Sequence, residues 1–260
     1  MKAGWWCGAG LAALGLLVAA RAGSAPVAAQ DPAQQEILAR FAEQGVSVDL
    51  ERQRIQVQAR VSVLHEPLEY LLVLQPQGKD YESLLLCEKL SAEALNAAML
   101  LLGVEKGING HLTAADPPPT LEEIQNGAAP YTVEPASGDG FYVYVSWEEQ
   151  IGGRTESFVY RAEDLVINAR TEGTYQRGKF VYLGSRFVRP HKDAVEFFAA
   201  QGEGNLVSLC IFEPANHILA GSDPDSDDQQ IWYPNVFLLP PVGQPVTVSF
   251  TREPLEPPLK

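Results

Sequence analysis

Two glutamates, a lysine and a serine lie close together in the segment LEYLLVLQPQGKDYESLLL, residues 68–86. Glu69 and Glu82 are the residue types that act as general acid and general base in many hydrolases, including those that cleave glycosidic bonds. Ser83 adds a hydroxyl, and Lys79 adds a positive charge. Glu69, Glu82 and Ser83 are therefore the candidates for a catalytic site.

The same segment has the pattern of an antiparallel hairpin. Pro76 and Gly78 are turn residues between two apolar, strand-like runs. In such a hairpin Glu69 and Glu82 share one face but are offset by four residues, which is about 13 Å at the strand rise. Catalytic carboxylates of glycosidases are about 5–10 Å apart, so the hairpin disfavours direct acid–base chemistry between the two.

A structural role for the two glutamates follows from this geometry. A buried carboxylate without a partner is costly, so each glutamate needs a hydrogen bond or an ion pair at the edge of the core. Lys79, Arg52 or a backbone N–H could supply it. We expect the hairpin to pack against the helix that follows it and to serve mainly as architecture.

Other catalytic and metal motifs are scarce. The chain has four histidines, and no two of them have the spacing of metal ligands on a helix or lie near a cysteine pair. A Gly-x-Ser-x-Gly motif is absent from the sequence, and the glycine before Ser185 is explained by a bend in a strand. We expect no cofactor.

The acidic segment GSDPDSDDQQ gives a partial match to a calcium loop. Asp223, Asp225 and Asp227 have the alternate spacing of calcium ligands. The match ends there, because Asp228 replaces the glycine of an EF-hand and Pro234 replaces its bidentate glutamate. The three aspartates are weak calcium candidates. A solvated acidic turn that contributes little to stability is favoured.

The N-terminal segment, residues 1–29, has the layout of a secretory signal peptide. Lys2 precedes an apolar stretch, and small residues follow before a cut after Ala29. An uncleaved anchor is the alternative, although the uncharged run is barely long enough to span a bilayer. Cleavage predicts an exported protein, in the periplasm, the cell envelope or the extracellular space, with no membrane span left.

Charge and cysteine content limit the partners and the covalent links. The formal net charge is −14, which repels nucleic acid and anionic membrane surfaces, so we expect neither as a partner. Export would permit a disulfide between Cys87 and Cys210. Both lie in apolar, strand-like runs, which slightly favours buried free thiols.

The elements that must position these residues are mostly strands. Alternation in 46–63, with a turn near 51–53, predicts two antiparallel strands, and more strands follow from residue 141.

A short helix is predicted within 30–45. A second helix is predicted near 91–102, where Ser91 is the cap and Leu100 and Leu101 widen one continuous apolar face. The region 103–140 is predicted to be a surface excursion with a capping box at Thr120 and Glu123, and residues 201–204 are predicted to be a hairpin turn. The fold class is mainly β (α+β), with antiparallel sheets in one compact domain and one well-buried helix.

Seven short motifs occur in a fixed order along the chain. They are PLEYLLV, GKDYESLL, ALNAAMLLLGV, EDLVIN, FVYLGSRF, GNLVSLCIF and NVFLLPPVGQPVTVSF. This series resembles the YdjY-type domain, an exported bacterial domain whose biochemical function is not established. The resemblance covers residues 46–251 and leaves 252–260 as a proline-rich tail.

The resemblance also assigns motif residues. Members usually have His-Glu-Ser where this chain has Tyr81, Glu82 and Ser83. The resemblance therefore implies that Glu69, Glu82 and Ser83 are residues of the family motif. Because this chain has a tyrosine in place of the histidine, a mechanism that uses the histidine as base or ligand is disfavoured.

The sequence thus predicts an exported cell-envelope domain that binds or assembles with an envelope protein or glycan and catalyses no reaction. The alternative is a hydrolase of an envelope polymer, with Glu82 as general acid or base. The sequence shows no base with an orienting partner, which favours the binding role.

Overall fold

The structure is a computed structural model, and it describes residues 32–255. The predicted signal peptide lies outside these residues, as does most of the predicted tail. The strands of the described part are β1 (Ser47–Asp49), β2 (Arg54–Val61), β3 (Tyr70–Leu74), β4 (Ser83–Cys87), β5 (His111–Ala114), β6 (Tyr131–Glu134), β7 (Gly140–Ile151), β8 (Arg154–Arg161), β9 (Val166–Asn168), β10 (Phe180–Tyr182), β11 (Phe187–Val188), β12 (Phe197–Phe198), β13 (Asn205–Ser208), β14 (Leu219–Ala220), β15 (Trp232–Pro234) and β16 (Pro245–Thr251). The α-helices are α1 (Pro32–Glu43), α2 (Ala92–Leu101), α3 (Leu121–Gln125) and α4 (Ala199–Glu203).

Eight strands of the described chain close into a barrel in the order β2-β16-β7-β10-β14-β13-β3-β4, because β4 pairs back with β2. β1 and β8 extend it as hairpin partners of β2 and β7. Closure pairs the backbone groups that an open sheet edge would leave exposed. The predicted mainly-β class is confirmed, but two pairs, β3–β4 and β13–β14, are parallel.

Alternating side chains fill the interior of the barrel. In β2 the buried positions are every second residue, which are Ile55, Val57, Ala59 and Val61. The β1–β2 hairpin confirms the strands and the turn that this alternation predicts. Burial of such a side chain contributes about 1.5–3 kcal/mol, so the inward face of each strand fixes its register.

The helix α2 begins at the predicted cap, where the Ala94 N–H donates to the Ser91 hydroxyl at 3.1 Å. Its predicted apolar face is buried in the same core cluster as residues of β3 and β4. Leu100 and Leu101 were expected to widen the buried face, and this is wrong, because they are 53% and 46% exposed.

The connections between the strands confirm one prediction and differ from two others. The capping box of Thr120 and Glu123 is present and begins α3 as predicted. The strands β5 and β6 form a small hairpin in the region expected to be a surface excursion. Residues 201–204 were expected to be a hairpin turn, but they end the short helix α4, with Gly204 in the left-handed conformation.

Both cysteines of the barrel region are buried free thiols, as the sequence slightly favours. Burial raises the pKa of Cys87 to about 12, and burial also raises the pKa of Cys210. Every helix in the described part of the chain is too short or too polar to span a lipid bilayer.

Candidate functional site

The segment 68–86 forms a parallel strand pair, so the predicted antiparallel hairpin is wrong. Tyr70 of β3 lies opposite Ser83 of β4, and the two strands run in the same direction. Glu69 and Glu82 therefore stand at the same end of the pair, and the Glu69 N–H donates to the Glu82 carbonyl at 2.9 Å. The predicted offset of about 13 Å is wrong for the same reason.

The connection 75–82 brings the chain to the start of β4. This path requires the backbone at Gly78 to lie very close to the backbone at Gly204, which is possible because neither residue has a side chain. A Cβ on Gly78 would lie 2.6 Å from the Cβ of Val73, and a Cβ on Gly204 would lie 2.3 Å from the Gly78 nitrogen. Such separations are well inside van der Waals contact. The Leu74 N–H donates to the Gly204 carbonyl at 2.6 Å, which ties this crossing to β13.

Lys79, within this connection, joins the two carboxylates. Its Nζ is 2.5 Å from Oε2 of Glu69 and 3.2 Å from Oε2 of Glu82. Because both oxygens accept from one nitrogen, they lie within about 6 Å of each other. We call Glu69, Lys79 and Glu82 the Lys79 cluster. Lys79 is one of the partners that the sequence suggests, whereas Arg52 pairs with Asp49.

The two carboxylates of the Lys79 cluster differ in how far they are buried. The side chain of Glu69 is 12% exposed and that of Glu82 is 29% exposed. Burial raises the pKa of Glu69, and the attraction of Lys79 offsets this only in part. Burial lowers the pKa of Lys79, but its hydrogen bonds with both glutamates outweigh burial and raise that pKa above its ordinary value. Lys79 is therefore charged at neutral pH.

The Ser83 hydroxyl holds the connection in place. Ser83 is fully buried, and its Oγ donates to the Lys79 carbonyl at 2.5 Å. Ser62 donates in the same way to the Asp80 carbonyl at 2.7 Å. A serine nucleophile needs a neighbouring base and access to substrate. In this arrangement the hydroxyl of Ser83 orients Lys79.

The acidic loop is built differently from the solvated turn that the sequence favours. Asp223 is only 7% exposed, and its carboxylate accepts from the N–H groups of Gln176 and Asp225 at 2.7 and 2.9 Å. Asp225 accepts from the Asn168 amide. Asp227 accepts from a tyrosine hydroxyl near the surface. Within residues 32–255, no three acidic, histidine or cysteine side chains are grouped as a metal site requires.

Asp223→Ala is expected to lower the free energy of unfolding by about 2 kcal/mol, because it leaves backbone N–H groups without an acceptor. Asp227→Ala is the matched control, and we expect a change below about 0.5 kcal/mol at that more exposed position. Urea unfolding of both variants measures the difference. Equal losses in the two variants would contradict this role of Asp223.

A cleft of about 200 Å³ lies beside β3, and no sequence pattern indicates it. We call it the Tyr70–His217 cleft. It is lined by Tyr70, Glu203, Asn205, Phe212, Glu213, Pro214, Asn216 and His217. Asn205 Oδ1 and His217 Nε2 are buried and have no hydrogen-bond partner among the described residues. Burial lowers the pKa of His217 to about 4, so its ring is neutral at pH 7.

The fold and the site define a β-rich domain in which a closed barrel carries a lysine-bridged pair of carboxylates at the end of a parallel strand pair. The family model of the YdjY domain matches residues 46–251. The chain therefore belongs to the YdjY domain family. No curated protein and no solved structure matches the chain.

Proposed function

We propose that the chain is an exported cell-envelope domain that binds or assembles with another envelope component and catalyses no reaction. The observation that carries the proposal is that the chemistry-bearing motif residues bond to one another. Lys79 Nζ lies between the carboxylates of Glu69 and Glu82, and Ser83 donates to the Lys79 carbonyl. Groups engaged in this way stabilise the start of a strand pair.

One observation favours a hydrolase as the second candidate. Glu69 and Glu82 are within about 6 Å, which is near the separation of carboxylates in retaining glycosidases. Their environments differ, since Glu69 is the more buried and has a raised pKa. Unequal carboxylates can divide the roles of acid and base. Lys79 lies between them, however, and an ammonium beside a carboxylate favours the ionised form, which makes the carboxylate a weaker base.

Glu82 variants separate the two functions. We expect Glu82→Ala to cost about 1–3 kcal/mol, because Lys79 loses an acceptor, and Glu82→Gln to cost less because its amide oxygen can still accept. Unfolding is measured for both variants, beside a screen of wild type against cell-wall and glycan polymers. We expect no product. Turnover that Glu82→Gln abolishes at unchanged stability would establish the hydrolase.

Export is tested separately from binding. We expect mass spectrometry of the protein from its native host to give a mature N-terminus between Gly23 and Asp31, because small residues follow the short apolar core. Recovery of the intact chain, beginning at Met1, from the membrane fraction would contradict cleavage and support an anchor.

A further inference from the structure

We propose that the Tyr70–His217 cleft binds one neutral sugar residue, an inference that rests on the binding role proposed above. The cleft is separate from the side chains of the Lys79 cluster but adjoins it through Tyr70, whose ring centroid is 5.9 Å from Lys79 Nζ. A bound sugar would therefore lie beside the strand pair that the Lys79 cluster begins.

The first group that points to a ligand is the Asn205 side chain. Asn205 is 9% exposed, and its Nδ2 donates to the Tyr70 hydroxyl at 3.3 Å. Its Oδ1 has no partner within residues 32–255. Rotation of the amide by 180° exchanges oxygen and nitrogen but still leaves one end unpaired. Buried polar groups are normally hydrogen-bonded, so this wall of the cleft calls for a polar group from outside the chain.

The second group is His217, which is 2% exposed. Its Nε2 has no partner in the described part of the chain. A neutral imidazole has one donor and one acceptor nitrogen, and a hydroxyl can bond to either because it both donates and accepts. The same hydroxyl chemistry satisfies the Asn205 amide in either orientation. A ligand rich in hydroxyls thus meets both needs.

The rest of the lining selects among hydroxylated ligands. Tyr70 and Phe212 stack in parallel at 5.1 Å and give the cleft an apolar wall, against which the C–H groups of a sugar ring can pack. Glu203 and Glu213 line the cleft and repel an anion. The Asn216 amide donates to the Glu203 carboxylate at 2.6 Å and holds that side chain in place beside the cleft.

The size of the cleft limits the ligand further. About 200 Å³ is below the roughly 300–1,000 Å³ typical of sites for drug-sized molecules. A single ring fits this space better than several linked residues. Among ligands of envelope glycan chemistry, the lining therefore favours one neutral sugar residue, free or at the end of a chain.

The experiment follows the imidazole signals of His217 by NMR in the full mature protein. D-glucose, D-galactose, D-mannose and N-acetyl-D-glucosamine are titrated, with D-glucuronate as the anionic match to glucose. We expect a saturable shift of the His217 signals with at least one neutral sugar and none with glucuronate. Failure of all four neutral sugars to shift these signals would overturn the proposal and leave a cleft that holds water only.

Variants add a second readout. We expect His217→Phe to weaken binding by about tenfold or more, because the sugar loses a buried hydrogen bond. The same variant should unfold at or above the wild-type temperature, since it removes an unpartnered buried nitrogen. His191→Gln, at an exposed position, is the matched control and should bind as wild type. Unchanged affinity in His217→Phe would overturn the cleft assignment, even if a sugar bound.

The two proposals fail in different ways. A neutral sugar that binds at His217 and is recovered as a converted product contradicts the non-enzymatic function but supports the cleft. A polymer cleaved without any shift at His217 contradicts both. Binding with the sugar recovered unchanged supports both.

Discussion

Replacement of Lys79 by methionine is expected to lower the free energy of unfolding by about 3 kcal/mol at neutral pH. In the wild type both carboxylates accept hydrogen bonds from the Lys79 ammonium. The variant lacks that ammonium, so the buried Glu69 carboxylate lies beside Glu82 without a positive charge. Loss of one partner from a buried ion pair costs about 3–5 kcal/mol, and the partial exposure of Lys79 places the expected value at the lower end. Urea unfolding measures it, with the exposed Lys106→Met as control.

The Lys79→Met loss should depend on pH in a defined direction. Without the ammonium, burial and the neighbouring Glu82 carboxylate raise the pKa of Glu69 further above its unfolded value of about 4.3. A carboxyl with a raised folded pKa is stabilised by protonation, so the variant should regain stability as pH falls from 7 towards about 5. A loss that stays constant over this window would contradict the proposed repulsion.

Gly204→Ala is expected to destabilise the protein by about 4 kcal/mol or to prevent folding. A Cβ at this position would lie 2.3 Å from the Gly78 nitrogen and 2.5 Å from the Leu74 carbonyl oxygen. The backbone of Gly204 also has a φ of 74°, which costs an alanine about 1–2 kcal/mol. Overpacking against backbone adds about 1–3 kcal/mol, since neither neighbour is a flexible side-chain end.

Gly152→Ala is the matched control for this prediction. Gly152 has a φ of 59°, and a Cβ there would meet nothing within 4 Å. Only the backbone conformation is penalised, so we expect a loss of about 1 kcal/mol. Thermal and urea unfolding compare the two variants. Similar losses would mean that the close contact of Gly204 with Gly78 does not determine how the connection is packed.

Much of the strand pattern could be predicted, but not the direction of one strand. Alternation locates β2 because only one face of that strand is buried. The segment 68–86 has the turn residues of a hairpin, and parallel strands usually need a connection of a dozen or more residues. The connection 75–82 is shorter, and it depends on the contact between Gly78 and Gly204, which are distant in sequence.

The two sites differ in how far the sequence could indicate them. Glu69, Lys79 and Glu82 are close in sequence, so their proximity and the lysine partner could be anticipated once the strand direction is known. The Tyr70–His217 cleft joins β3 to residues beyond 200, and no motif links them. The feature that points to the cleft is that two buried polar atoms have no hydrogen-bond partner among the described residues. This feature can be seen only once the barrel has closed.

A double-mutant cycle between Lys79 and Glu69 tests the architectural role of the Lys79 cluster most directly. Unfolding free energies are measured for wild type, Lys79→Met, Glu69→Gln and the double variant. We predict that the Lys79→Met loss shrinks by more than about 1 kcal/mol in the Glu69→Gln background, since the buried carboxylate that needed the ammonium is gone. Losses that add to within about 0.5 kcal/mol would contradict the account, because the ion pair would then contribute nothing to the fold.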